Sequence, residues 1–156
     1  MPRRLALITG ASAGIGAAFA RIYASHGYDV ALTARRKEKL TSLADDIALR
    51  SGVQTYTVAA DLVDPAAPEA ILAELAAHGR HVDALVNNAG YGLPGVFAET
   101  SWPEQRDFIQ VMLTAPSELA HRLTPHMAER RFGRVVDRNT RLNSSHGYRS
   151  RMPSSA

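Results

Sequence analysis

Cysteine is absent from the 156 residues, which excludes a disulfide frame, a thiol nucleophile and a cysteine-ligated metal. No apolar run approaches the roughly 18 residues a membrane-spanning helix needs. Met1-Pro2-Arg3-Arg4 leads directly into a short strand and not into a secretory hydrophobic region with a small-residue cleavage site. A cytoplasmic protein with no membrane association is therefore expected. Net charge is also missing where a nucleic-acid binder would carry it. Residues 1–136 hold equal numbers of basic and acidic side chains, and the formal +3 arises wholly in residues 137–156, where Arg138, Arg141, Arg149 and Arg151 face Asp137 alone. A surface that tracks phosphate backbone keeps its cations on the folded domain, so no nucleic-acid partner is expected.

What remains is ordinary globular composition, 46% hydrophobic and 21% charged, long enough for one domain with a real core. Short apolar runs alternate with helical patterns. Strands are expected at Leu5–Ile8, Tyr28–Thr33, Val53–Ala59 and Val82–Val86, and a fifth begins at Gly133-Arg134-Val135-Val136. Between them, helices are expected over Gly14–Ser25 (stripe Ile15, Phe19, Ile22), Arg36–Arg50 (Leu40, Leu43, Ala44, Ile47) and Pro65–Ala77. Two more follow a Gly/Pro-rich loop at Tyr91–Val96, over Trp102–Leu113 and Ser117–Arg131, the latter with Leu119, Leu123 and Met127 on one face. Strands that are apolar throughout, alternating with helices of ten to fifteen residues, imply an α/β fold: right-handed βαβ units forming a doubly wound parallel sheet covered on both faces.

The pattern collapses after Val136. Residues 137–156 lack periodicity and are rich in Arg, Ser and Asn, which reads as a disordered basic tail. A second reading is sharper. Asp137-Arg138, Thr140 to His146 and Ser150 to Ala156 resemble the translation of a short-read sequencing adapter, with Gly147-Tyr148-Arg149 where its variable index would fall. On that reading 1–136 is an incomplete domain, truncated after its fifth strand, and 137–156 is a non-native tail.

Thr9-Gly10-Ala11-Ser12-Ala13-Gly14-Ile15-Gly16 joins the first strand to the first helix. A dinucleotide pyrophosphate can rest on the helix N-terminus there, with Gly10 making a tight turn, Gly14 allowing close backbone approach and Gly16 letting the helix pack on the strand. Gly10, Ser12, Gly14, Ile15 and Gly16 are the candidate contacts. Alone the turn is a weak signal, since a strand-to-helix turn can bind nothing. The end of the second strand reads Thr33-Ala34-Arg35-Arg36-Lys37, without the carboxylate that an NAD site presents to the ribose 2′-hydroxyl. Arg35 can clamp a 2′-phosphate and stack on adenine, so NADP is expected over NAD. Arg36, Lys37 and Lys39 read as a solvated helix start.

With these residues in view the chain resembles the short-chain dehydrogenase/reductase family over residues 4–136. Four landmarks match in order: Thr9–Gly16, Asp61-Leu62, Asn87–Gly90 and Gly133–Val136. The resemblance implies a Rossmann domain in which Asp61 and Leu62 meet the adenine ring. It also implies that Asn88, Ala89 and Gly90 line the adenine ribose and that Asn87 ties neighbouring strands. Taken singly, Asp61 is a turn or cap residue. The resemblance further implies carbonyl reduction or alcohol oxidation on a small-molecule substrate, with a homo-oligomer for the intact protein. His121 and His126 fall on a helix that in this family often packs against a partner subunit.

Departures bear on function. Met112 stands where the family carries an Asn that holds a structural water. The family's Ser would fall near Asp137, and in Tyr148-Arg149-Ser150-Arg151-Met152 a Met occupies the place of the lysine in Tyr-x-x-x-Lys. No catalytic residue is assigned, and an inactive fragment is expected. The alternative is a non-catalytic dinucleotide-sensing module. His78 and His81 flank a solvated turn, and no metal site is expected.

Overall fold

The structure, a computed structural model, describes residues 2–138; the rest of the tail, including Tyr148 and the adapter-like stretches at 140–146 and 150–156, lies outside the described residues. In chain order it contains β1 (Leu5–Thr9), α1 (Gly14–Ser25), β2 (Asp29–Ala34), α2 (Lys37–Ser51), β3 (Thr55–Ala59), α3 (Ala67–Ala77) and β4 (Val82–Asn87). After a loop with one 3-10 turn (Phe97–Glu99) come α4 (Trp102–Ile109), a π turn (Gln110–Thr114), α5 (Ala115–Glu129) and β5 (Arg134–Asp137). The five strands pair in the order β3-β2-β1-β4-β5, and every pair is parallel. The chain works outward in one direction to β3, then crosses back to lay β4 on the free edge of β1. The C-terminal ends of β1 and β4 therefore diverge at a switch point, where open α/β sheets form their ligand crevice.

Alternation along the strands divides the core into two layers. Leu5, Leu7, Ala31 and Leu85 face α3 and α5, where Ile71, Leu75, Leu119, Leu123 and Met127 are buried. Ala6, Ile8, Val30, Leu32, Ala84 and Val86 face α1 and α2, against Leu40, Leu43, Ala44 and Ile47. Both faces are covered, so apolar residues fill successive strand positions.

The buried face of α1 differs from the expected stripe. Gly16, Ala17, Ala20 and Ala24 are buried, whereas Ile15 and Ile22 are 48% and 55% exposed. Small side chains fill the face nearest the sheet, while Phe19 of the expected stripe, with Tyr23, packs partly buried against the core from the side.

The two helices expected around Pro116 are one continuous rod. Proline has no N–H and its ring crowds the carbonyl four residues earlier. The wider i→i+5 turn at Gln110–Thr114 accommodates this, so the helix swells instead of breaking. β5 runs one residue beyond the expected boundary, with Asp137 paired to Asn87.

Opposite the switch point, a polar network ties the N-terminal ends of the strands together. Arg80 bridges to Asp29 at 2.8 Å, both side chains nearly buried. It also donates to the Tyr56 hydroxyl and the Arg3 carbonyl, each at 2.8 Å. Desolvation alone would lower the guanidinium pKa, but hydrogen bonds to Asp29 and Tyr56 outweigh it and hold the group above its ordinary value. Among the described residues no helix is long and apolar enough to cross a membrane.

Candidate nucleotide site

Thr9, the last residue of β1, organises the switch point. Its Oγ1 accepts the backbone N–H groups of Asn88 and Ala89, each at 3.0 Å, and is 3.4 Å from the Val86 carbonyl. Asn88 reciprocates: its Nδ2 donates to the carbonyls of Thr9 (3.1 Å) and Gly10 (3.2 Å). Its Oδ1 accepts from Arg138 at 3.1 Å. The glycine turn is thus stitched directly to the end of β4.

The turn residues follow from this close approach. Gly10 has φ +64°, and a Cβ there would lie 2.8 Å from Ala89 Cα. A Cβ on Gly16 would run into the Gly10 carbonyl and the Asn88 amide. Gly14 has φ +56° with open space beyond it, so its backbone is approachable from outside. The N-terminus of α1 has neither a side-chain cap nor an acidic residue in its first turn, and α2 likewise lacks a side-chain cap. By contrast, α4 carries a full capping box between Ser101 and Glu104. A helix start without a cap leaves N–H groups and the positive dipole end available to an anion.

Next to this turn lies a cavity of about 230 Å³. Gly10 and Ser12 line it from the turn, Thr33 to Arg36 from the end of β2, Ala60 to Val63 from the end of β3, Ala89 to Tyr91 from the end of β4, and Val111 from the π turn. Seven residues singled out from the sequence therefore meet in one place: Gly10, Ser12, Arg35, Asp61, Leu62, Ala89 and Gly90. The other four lie elsewhere. Asn88 and Gly16 are buried behind the wall. Gly14 opens onto a neighbouring groove between α1 and α2, and Ile15 projects outward. Asp61 is also the turn residue expected of it singly, its Oδ1 accepting the Val63 N–H at 3.1 Å.

Sequence reasoning missed Arg36 and Tyr91. Arg36 is exposed at the start of α2, as expected, but its guanidinium does more than meet solvent. It is the non-helical N-cap of α2, turned back so that its guanidinium reaches Ser12 Oγ at 3.3 Å on the cavity wall. The available signal was its place between the strand and the first helical residue, next to Arg35. Tyr91 rests edge-to-face on Phe108, ring centroids 5.6 Å apart. Burial raises the pKa of its phenol, assisted by Asp107 and Asp61 and opposed by Arg35. Asn87 does not tie the strands through its side chain. Its Nδ2 donates to the Pro116 carbonyl at 3.2 Å, linking β4 to α5, and its Oδ1 is buried without a partner among the described residues. Asn88 and Thr9 make the strand-to-strand link instead. No group of three or more His, Asp or Glu residues able to hold a metal occurs among the described residues.

The sequence pattern of the short chain dehydrogenases matches residues 4–148. The chain belongs to this family. Among relatives of this chain, a very-long-chain 3-oxoacyl-CoA reductase of Phaeosphaeria nodorum is 37% identical over 84% of the chain and 40% of its own length. The inactive hydroxysteroid dehydrogenase-like protein 1 of Homo sapiens is 36% identical over 85% of the chain and 41% of its own length. A short-chain dehydrogenase from Sphingobium yanoikuyae, solved in complex with NADPH, superposes with a TM-score of 0.80 at 35% identity, covering 86% of this chain and 52% of that one. The chain thus spans about 40–52% of the length of these proteins. Within the family fold Met112 is half-buried on the π turn, beside the cavity-lining Val111.

Proposed function

We propose that this chain is the NADP(H)-binding part of an oxidoreductase that interconverts small-molecule carbonyls and alcohols, with NADP(H) preferred over NAD(H). The observation that carries the preference is the pair Arg35 and Arg36 on one cavity wall at the end of β2, where an NAD site would present a carboxylate. A ribose 2′-phosphate is the anion that fits two guanidinium groups beside an uncapped helix start. The pyrophosphate belongs at the N-terminus of α1, and Asp61 and Leu62 belong beside the adenine. The relative from Sphingobium yanoikuyae, solved with NADPH, supports the same reading.

Bound there, the cofactor supplies hydride chemistry at its nicotinamide ring; the residues of this chain bind and orient it. Among the described residues, the ionisable side chains that line the cavity are Arg35, Arg36, Asp61 and Tyr91, with no lysine. The Ser, Tyr and Lys that handle the substrate proton are assigned to the intact protein outside residues 1–136. The purified chain is therefore expected to bind NADPH and not to oxidise it with a panel of carbonyl substrates.

The decisive measurement is a titration of the chain with NADPH and NADH. NADPH should bind at least about ten-fold more tightly, and Arg35→Ala should remove most of that margin, as expected for a charge-assisted hydrogen bond worth roughly 1.5–3 kcal/mol. Equal affinities for the two cofactors overturn the proposal. A second reading, a dinucleotide sensor, draws on Met112 and on the human relative named inactive. It requires tight NADPH binding by the intact protein without turnover.

A further inference from the structure

We infer that Tyr91 is an affinity-determining wall of the nucleotide cavity that packs its ring against adenine. The inference rests on the reading of the cavity as a nucleotide site. Tyr91 shares that cavity with Asp61, Leu62 and Arg35, and the residue is 42% exposed, which leaves surface for a ligand to cover. Its orientation is set in advance by Phe108 on α4, whose ring meets it edge-to-face at an interplanar angle of 86°. Burial and the carboxylates of Asp107 and Asp61 hold the phenol above its ordinary pKa. The ring therefore stays neutral at working pH, suited to a base and not to a phosphate. Every nucleobase offers a π face, and stacking on an aromatic ring needs no particular hydrogen-bond pattern. Arg35 and Tyr91 then divide the work: the arginine reads the 2′-phosphate and the tyrosine reads the adenine common to both cofactors.

The test is titration of the whole chain and its variants with NADPH and NADH. Tyr91→Leu should weaken both cofactors by the same factor, roughly ten-fold, and Tyr91→Phe should stay within about two-fold of wild type. The NADPH-to-NADH preference should not move in either variant, whereas Arg35→Ala should lower it. The inference is overturned if Tyr91→Leu binds as well as wild type or better, if Tyr91→Phe loses as much as Tyr91→Leu, or if either variant shifts the preference. Should the wild-type chain bind neither cofactor, the nucleotide-site reading falls and this inference with it. Should wild type bind with NADPH preferred and Tyr91→Leu match it, only the role of Tyr91 is lost.

Discussion

Thr9 and Thr33 are register partners on β1 and β2, with 2% and 1% exposure, yet the same substitution should have opposite consequences at the two sites. Valine conserves volume and β-branching, so Thr→Val removes a hydroxyl and little else. At position 9 that hydroxyl is the acceptor for the Asn88 and Ala89 N–H groups. Each buried donor left unpaired costs about 1–3 kcal/mol, less for the half-exposed Ala89. Against a gain of up to about 1 kcal/mol from the added methyl, Thr9→Val should destabilise by about 2–3 kcal/mol. At position 33 the Oγ1 is buried without a partner among the described residues. Replacing it loses no bond and removes an unsatisfied group, so Thr33→Val should fall between neutral and about 1 kcal/mol stabilising. Thr9→Ser should recover most of the loss. Urea unfolding of each variant without nucleotide, with unchanged m-values, reads the difference. Equal effects within about 0.5 kcal/mol, or a larger loss at Thr33, would refute the account of the switch point.

Three further outcomes are expected. Gly16→Ala should destabilise by about 1–3 kcal/mol through overpacking and weaken nucleotide binding, because its Cβ displaces the Gly10 carbonyl and the Asn88 amide; melting curves with and without NADPH check both effects. Arg80→Ala should cost about 3–5 kcal/mol by stranding the Asp29 carboxylate, and the double variant Asp29→Leu with Arg80→Met should recover much of it in the same unfolding assay. The Ser101 hydroxyl and backbone N–H hold the Glu104 carboxyl below its ordinary pKa. Its contribution to α4 is therefore complete above the ordinary carboxylate value and is lost as pH falls through the lower folded-state value. NMR titration of Glu104 should show the depressed midpoint in wild type and its return toward the ordinary value in Ser101→Ala.

The middle of the sheet was legible because β1, β2 and β4 carry apolar residues at successive positions, which a sheet covered on both faces requires. The α2 stripe of Leu40, Leu43, Ala44 and Ile47 was legible for the same reason, being both hydrophobic and buried. α1 misled because hydrophobicity and burial separate there: close packing selects alanine and glycine, and pattern reading follows Ile15 and Ile22 to the wrong face. The continuity of the rod through residues 114–116 was not legible, because a π turn is specified by the packing of the whole rod and leaves no local signal. At the site, glycine spacing and the Arg35 position were visible in one dimension. Arg36, Tyr91 and Val111 come to the cavity from a helix cap, a loop and a π turn, and nothing short of the fold places them side by side.

Because β1 sits at the centre of the sheet, its two neighbours are made at very different times during synthesis. β2 follows within about twenty residues, but β4 is complete only when Asn87 has emerged. Until then one edge of Leu5–Thr9 is bare, and long-range parallel pairing of this kind is slow to form. The Thr9 hydroxyl also waits for Asn88 and Ala89 before the glycine turn is locked. The first motif to be translated thus acquires its shape only once residue 89 has arrived, and cofactor capture at that turn cannot precede it.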